Sequence, residues 1–242
     1  MHATVRPFTA GPPPAPPTAG AVHVWVVDID RPPCDPADLA ACLTPDECAR
    51  AARYRFGPVR EQFTLSRGVL RRLLGGYLDV PPADVPIVYG ANGKPGLAGA
   101  ALHFNVTHTT GLALVAVAAA RVGVDVERVR TVPDTDGLVG RFFSAAEAVA
   151  FRALPEEVRA AAFLRGWVCK EAVIKAAGAS VQYLDGFDID LDPARPPAVL
   201  AVRHAALAGG GWAVADWQPA PGYAAAVAVE GAGALRIDGG RG

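Results

Sequence analysis

Runs of alternating and continuous apolar positions divide the chain into a small number of elements. The first is Ala21-Val-His-Val-Trp-Val-Val27, a β-branched run that predicts a strand. Thr44-Pro45-Asp46-Glu47 supplies an N-cap, a proline at the first helical position and acids in the first turn, so a helix opens there toward Arg55. Helical spacing predicts another helix over Val59–Tyr77. Between Asp84 and Gly111, the turn signals Asn92-Gly93 and Pro95-Gly96 alternate with β-like pieces at Ile87–Tyr89 and Leu102–Val106. Leu112–Ala118 and Val122–Glu127 then read as two strands joined tightly near Arg121. Helices are predicted over Ser144–Leu154, where Ser144 and Glu147 form a capping box, and over Pro155–Ala177. Val199–Val202, Trp212–Trp217 and Tyr223–Glu230 read as returning strands. This order predicts an α+β fold in two halves of about 100 residues each, 21–119 and 120–231. Residues 1–20 hold six of the 22 prolines and almost no large apolar side chains, so a disordered proline-rich tail is expected there, with a flexible tail over 232–242.

Composition narrows the function classes. With 51% hydrophobic and 19% charged residues, the chain has the profile of a soluble globular protein. A net charge of −1, from 23 basic and 24 acidic residues, gives no bulk attraction to nucleic acid or anionic lipid. The longest apolar run, Leu112–Ala120, falls far short of the roughly 20 residues that a membrane span needs. The proline run at Pro12–Pro17 occupies the place of a secretory signal's apolar segment, so a cytoplasmic location is expected. The four cysteines include no Cys-x-x-Cys pair and are read as free thiols.

The candidate chemistry lies in two stretches. In Gly123-Val-Asp-Val-Glu127, strand alternation puts Asp125 and Glu127 on one face, their Cα atoms about 6.5 Å apart at about 3.3 Å per residue. In an arbitrary strand such a pair is a solvated face; a hard cation bridging both acids is the functional alternative. The second stretch is Trp167-Val-Cys-Lys170-Glu171-Ala-Val-Ile-Lys175. At 100° per residue, Phe163, Leu164, Trp167, Val168 and Ile174 share an arc of about 140°, and Glu171 falls inside it. An acid on an apolar arc needs a partner or a metal, and Lys170 and Lys175 flank it. Three carboxylates with adjacent lysines are what a magnesium diphosphate site requires.

These motifs resemble the signature of the 4′-phosphopantetheinyl transferases, and the chain length is similar to that of the Sfp-type branch. Asn92-Gly93-Lys94-Pro95, Phe104-Asn-Val-Thr-His108 and Arg141-Phe-Phe-Ser-Ala-Ala-Glu147 match further family segments in order, so that the resemblance runs from about Val24 to Val229. It implies a pseudo-twofold arrangement of two similar α/β halves in a monomer. It also implies a holo-acyl-carrier-protein synthase type of reaction: Mg²⁺-dependent transfer of the phosphopantetheine arm of coenzyme A to a serine of acyl or peptidyl carrier proteins, releasing adenosine 3′,5′-bisphosphate. Carried over, Asp125, Glu127 and Glu171 become metal ligands, with Glu171 also the base. Lys175 goes to the phosphate of the leaving group. Lys94, Thr107 and His108, helped by Arg50 or Arg53, go to the 3′-phosphate of coenzyme A. After Gly178 this chain has Ala179-Ser180-Val181-Gln182 where the family commonly has Gly-x-Gly-Leu, and Thr107 stands where serine is usual. A non-catalytic coenzyme A-binding module is the competing reading. A magnesium phosphotransferase acting on nucleotides would want a Gly-x-x-x-x-Gly-Lys-Ser/Thr loop, which the sequence lacks.

Overall fold

The computed structural model describes residues 1–90, 92–99 and 101–239. In chain order these form strands His2–Pro7 (β1) and Ala21–Asp28 (β2), and helices Pro36–Ala40 (α1), Pro45–Ala52 (α2) and Gly57–Leu78 (α3). Next come strands Ile87–Tyr89 (β3), Pro95–Leu97 (β4), His103–Thr109 (β5), Leu112–Ala118 (β6) and Val122–Arg128 (β7). Helices Thr135–Phe142 (α4), Ala145–Ala153 (α5) and Glu156–Ala177 (α6) follow. Strands Phe187–Ile189 (β8), Val199–Val202 (β9), Trp212–Trp217 (β10), Tyr223–Glu230 (β11) and Arg236–Asp238 (β12) complete the chain.

Two sheets face each other, one of five strands in the order β12-β1-β2-β6-β5 and one of three in the order β10-β11-β7. Their inner faces are aliphatic. Val22, Val24, Leu114 and Ala116 from the first meet Val122, Val124, Val126 and Val227 from the second in one dry layer. The outer face of the larger sheet carries Trp25, Phe104, Val115 and Val117, covered by Leu65, Val69, Leu73 and Leu74 of α3. The outer face of the smaller sheet carries Val214, Ala226 and Ala228, covered by Cys169, Ala172, Val173 and Ala176 of α6. Each of these two sheets is therefore covered by one 22-residue helix in an α+β architecture.

The predicted caps form. Thr44 and Glu47 close one capping box, and Ser144 and Glu147 close another. The expected tails are corrected. β1 lies between β12 and β2 and pairs with both in parallel, because Ala3 and Val5 bury their side chains in the intersheet core. The proline run connects β1 to β2 and packs on α3, where a Cβ on Gly76 would overlap Pro13. Arg72 of α3 donates to the Ala10 carbonyl at 2.7 Å. Within 232–242, Leu235 is buried and Arg236–Asp238 forms β12, while residues 240–242 lie outside the described residues.

Candidate active site

The site forms where α6 crosses β7. A Cβ on Gly123 would overlap the Ala172 carbonyl and the Ala176 amide, so glycine at this position lets the helix backbone rest directly on the strand. Strand alternation then turns Val122, Val124 and Val126 into the intersheet core, while Asp125 and Glu127 point toward α6. On α6 the small residues Ala162, Gly166, Cys169, Ala172 and Ala176 are all buried, together with Phe163, Val168, Lys170, Val173 and Ile174. The half-buried stripe runs through Leu164, Trp167, Glu171 and Lys175 at three- and four-residue spacing, and it borders the cleft.

Lys175 Nζ donates to Asp125 Oδ1 at 2.5 Å and to Thr107 Oγ1 at 3.4 Å, and the Thr107 hydroxyl donates to the same carboxylate at 3.1 Å. Asp125 is 3% exposed, and its other oxygen, Oδ2, is buried without a hydrogen-bond partner among the described residues. Glu171 sits 4.0 Å from Lys175. Burial holds the Glu171 carboxyl above its ordinary range; Lys175 offsets part of that rise, and repulsion from Asp125 and Glu127 adds to it. Burial and the neighbouring Asp125 push Glu127 up in the same direction. The three acids thus share one electrostatic field that Lys175, with Arg130 acting on Glu127, only partly neutralises.

That donor set fits a hard divalent cation: oxygen ligands only, mutual repulsion that a cation would relieve, and one buried carboxylate oxygen with nothing to accept from. Among the described residues no three His, Cys, Asp or Glu side chains are placed together as they would be around a bound metal ion, and Lys175 serves as Asp125's counter-ion.

Strand β5 is the outermost strand of its sheet and runs beside β7 without ladder pairing. Its alternation separates two residues that the sequence reading sends to one phosphate. Thr107 reaches Asp125, whereas His108 lines a groove of about 350 Å³ with Arg50, Phe63, Ser66 and Arg67 on the α3 side. Pro95 and Val106 border both this groove and a cleft of about 210 Å³ that contains Lys94, Asn105 and Lys175. Beyond the acids, Glu127 borders a largely apolar pocket of about 200 Å³ walled by Leu138, Phe163, Leu164 and Trp167, with Arg128 and Arg130 also in its lining.

Other expected residues lie elsewhere. Lys170 is corrected outright: it is 1% exposed and paired with Glu147 at 2.7 Å, with the Phe187 carbonyl at 2.8 Å. Lys94 donates to the carbonyls of Val122 and Ala176, strapping the β3–β4 turn to the C-terminal end of α6, and burial pulls its pKa down to about 8. Asn92 reinforces that strap by donating to the Gly178 carbonyl at 2.9 Å. Arg53 is exposed at the end of α2 and does not line the groove. Arg67, which the sequence offers equally as a phosphate contact or as a partner of acids, lines it with a buried, unpartnered Nη1 while its Nε pairs with Glu47; Ser66, which sequence reasoning did not place there, lines it with a buried, unpartnered Oγ. Arg67 also donates to the Tyr89 hydroxyl at 2.7 Å.

A family model for the 4′-phosphopantetheinyl transferase superfamily matches residues 121–228, the span that contains β7 and α6. The 4′-phosphopantetheinyl transferase HetI of Nostoc sp. is 41% identical over 217 residues, covering 88% of this chain and 89% of the relative. The chain belongs to the 4′-phosphopantetheinyl transferase superfamily. Its similarity extends to the 4′-phosphopantetheinyl transferase AcpT of Salmonella typhimurium, 35% identical over 171 residues, covering 70% of this chain and 82% of that one. In this superfamily member the matched span holds Asp125, Glu127, Glu171 and Lys175. Arg50, Lys94, Thr107 and His108 precede it. The cleft between β5 and α6 therefore draws on residues before and within the matched span.

Proposed function

We propose that this protein transfers the 4′-phosphopantetheine arm of coenzyme A to a serine hydroxyl of an acyl or peptidyl carrier protein, releasing adenosine 3′,5′-bisphosphate. The observation that carries this reading is the buried Asp125 carboxylate, half satisfied by Lys175 and Thr107, beside two further acids with raised pKa values. A binding module would have no need of a desolvated carboxylate at the mouth of its cleft. The site's length also supports coenzyme A. It runs from a groove with Arg50, Arg67 and His108, through a cleft with Lys175, to an apolar pocket suited to the pantetheine arm.

Asp125, Glu127 and Glu171 would hold Mg²⁺, which when bound supplies charge neutralisation at the diphosphate. Lys175 orients the phosphate of the leaving group with its ammonium. Glu171, kept basic by desolvation, takes the proton of the attacking serine at its carboxylate. The serine oxygen forms a bond to the pantetheine-side phosphorus as the bridging oxygen leaves with the adenosine bisphosphate. One chain supplies every group, which supports a monomer of the Sfp-type, holo-acyl-carrier-protein synthase class. All four cysteines are free thiols, which suits a reducing cytoplasm. No helix among the described residues is long and apolar enough to cross a membrane.

Incubation with apo carrier domains from fatty-acid, polyketide and peptide synthetases, coenzyme A and Mg²⁺ tests the reading. Intact mass should rise by one phosphopantetheine on at least one carrier. Binding of coenzyme A with no mass gain on any of them would favour the non-catalytic module.

A further inference from the structure

We infer that the cavity on the far side of Lys94 from the Lys175 cleft is a second ligand site, which takes a small organic anion with an apolar body. This site is independent of the transferase chemistry above.

The cavity has a volume of about 480 Å³, within the range of small-molecule sites. Val88 of β3, Leu97 of β4, Leu102 and Phe104 of β5 form its apolar wall. Its titratable lining is Lys94, His103 and Arg121, and among the described residues no carboxylate borders it. Asn92, Lys94, Pro95 and Gly178 border both this cavity and the cleft that holds Lys175, so the β3–β4 turn and the end of α6 form the partition between the two.

The basic groups keep donors to offer. Lys94 uses two of its three N–H groups on the carbonyls of Val122 and Ala176. Arg121 pairs with Glu230 through Nε and Nη2, which leaves Nη1 out of the pair. His103 is held below its ordinary pKa by burial and then by the charges of Lys94 and Arg121, with Glu230 opposing. The field at this wall is therefore positive. Lys94 and Arg121 carry two charges against the one of Glu230, and Glu230 does not line the cavity. An anionic head among these groups gains charge-assisted hydrogen bonds, while the apolar wall takes the body of the ligand out of water. A cation would meet like charge there, and a neutral ligand would forgo the charge-assisted bonds.

Titration of isotope-labelled protein with phenyl phosphate, followed through the His103 ring signals in NMR, tests the site. Coenzyme A and Mg²⁺ are present at saturation, so that the probe is kept from the Lys175 cleft and the Arg50 groove. The His103 signals report on this cavity whether or not coenzyme A binds, which separates the test from that of the transferase reading. We expect saturable shifts of those signals and a raised apparent pKa of His103, because a nearby anion favours the imidazolium. Benzyl alcohol, which lacks the charge, should bind at least about tenfold more weakly. His103→Glu puts a negative charge on the wall and should lower affinity for phenyl phosphate about tenfold or more at an unchanged melting temperature. Val88→Glu, at a position 47% exposed on the same wall, should act in the same direction. His103 signals that stay fixed, benzyl alcohol bound as tightly as phenyl phosphate, or unchanged affinity in both variants would overturn the inference.

Discussion

Lys170 and Glu147 form a pair that neighbouring groups complete on every side. Glu147 accepts from the Ser144 and Ile189 backbone amides as well as from Lys170, and Lys170 also caps the Phe187 carbonyl. Burial draws the Lys170 pKa down, and Glu147 opposes that pull. Removing one member leaves an uncompensated buried charge, so Lys170→Met should lower stability by about 3–5 kcal/mol in chemical denaturation. Glu171, one residue later, predicts a different outcome. Glu171→Gln should retain coenzyme A binding in titration while losing about a hundredfold or more in transfer rate, the share a positioned base contributes. The sequence marks Glu171 as an acid among large apolar neighbours. It does not distinguish the two lysines beside it, because both flank the same arc and only the helix's seating decides which is buried. The small-residue series Ala162, Gly166, Cys169, Ala172 and Ala176 holds that information, since close backbone approach requires small side chains.

At the level of elements, the contact between α6 and β7 sets the distance between Lys175 and Asp125. Gly123→Ala would force these backbones apart. We expect a stability loss of about 1–3 kcal/mol by thermal unfolding together with loss of transfer, since the helix carries Glu171 and Lys175 away from the strand. The strap formed by Lys94 predicts a pH effect. Its pKa is about 8 in the folded protein against an ordinary 10.5, so between these values the unfolded chain holds a proton that the folded chain has released. Stability should therefore rise with pH across that window, and Lys94→Met should flatten the rise in denaturation curves measured at successive pH values. The long helices and central strands were legible because their apolar periodicity is strong. The three-residue strands β4, β8 and β12 were not, because so short a run shows no period and forms through its neighbours.

Across the whole molecule, the two ends of the chain close the larger sheet together. The Met1 ammonium donates to the Ala234 carbonyl at 3.0 Å, and the Arg236 amide donates to the Met1 carbonyl at 3.1 Å. Deleting residues 1–20 should therefore expose β2 and strip β12 of its partner. The truncated protein should unfold at markedly lower temperature or fail to stay soluble, whereas a true tail would be removed without effect. The proline content that suggested a tail belongs to the crossover between two parallel strands, and β1 itself is too short and too polar on its outer face to stand out. The division of labour between halves places Arg50 and His108 on one side of β5 and the acids on the other, so an extended ligand must pass the edge of that strand to reach both. The most direct measurement is a crystal structure with coenzyme A and Mn²⁺, collected for anomalous scattering. The account predicts a single manganese peak among the carboxylates of Asp125, Glu127 and Glu171, in contact with the diphosphate. A peak elsewhere, or cofactor bound with those three side chains turned apart and no ion between them, would contradict it.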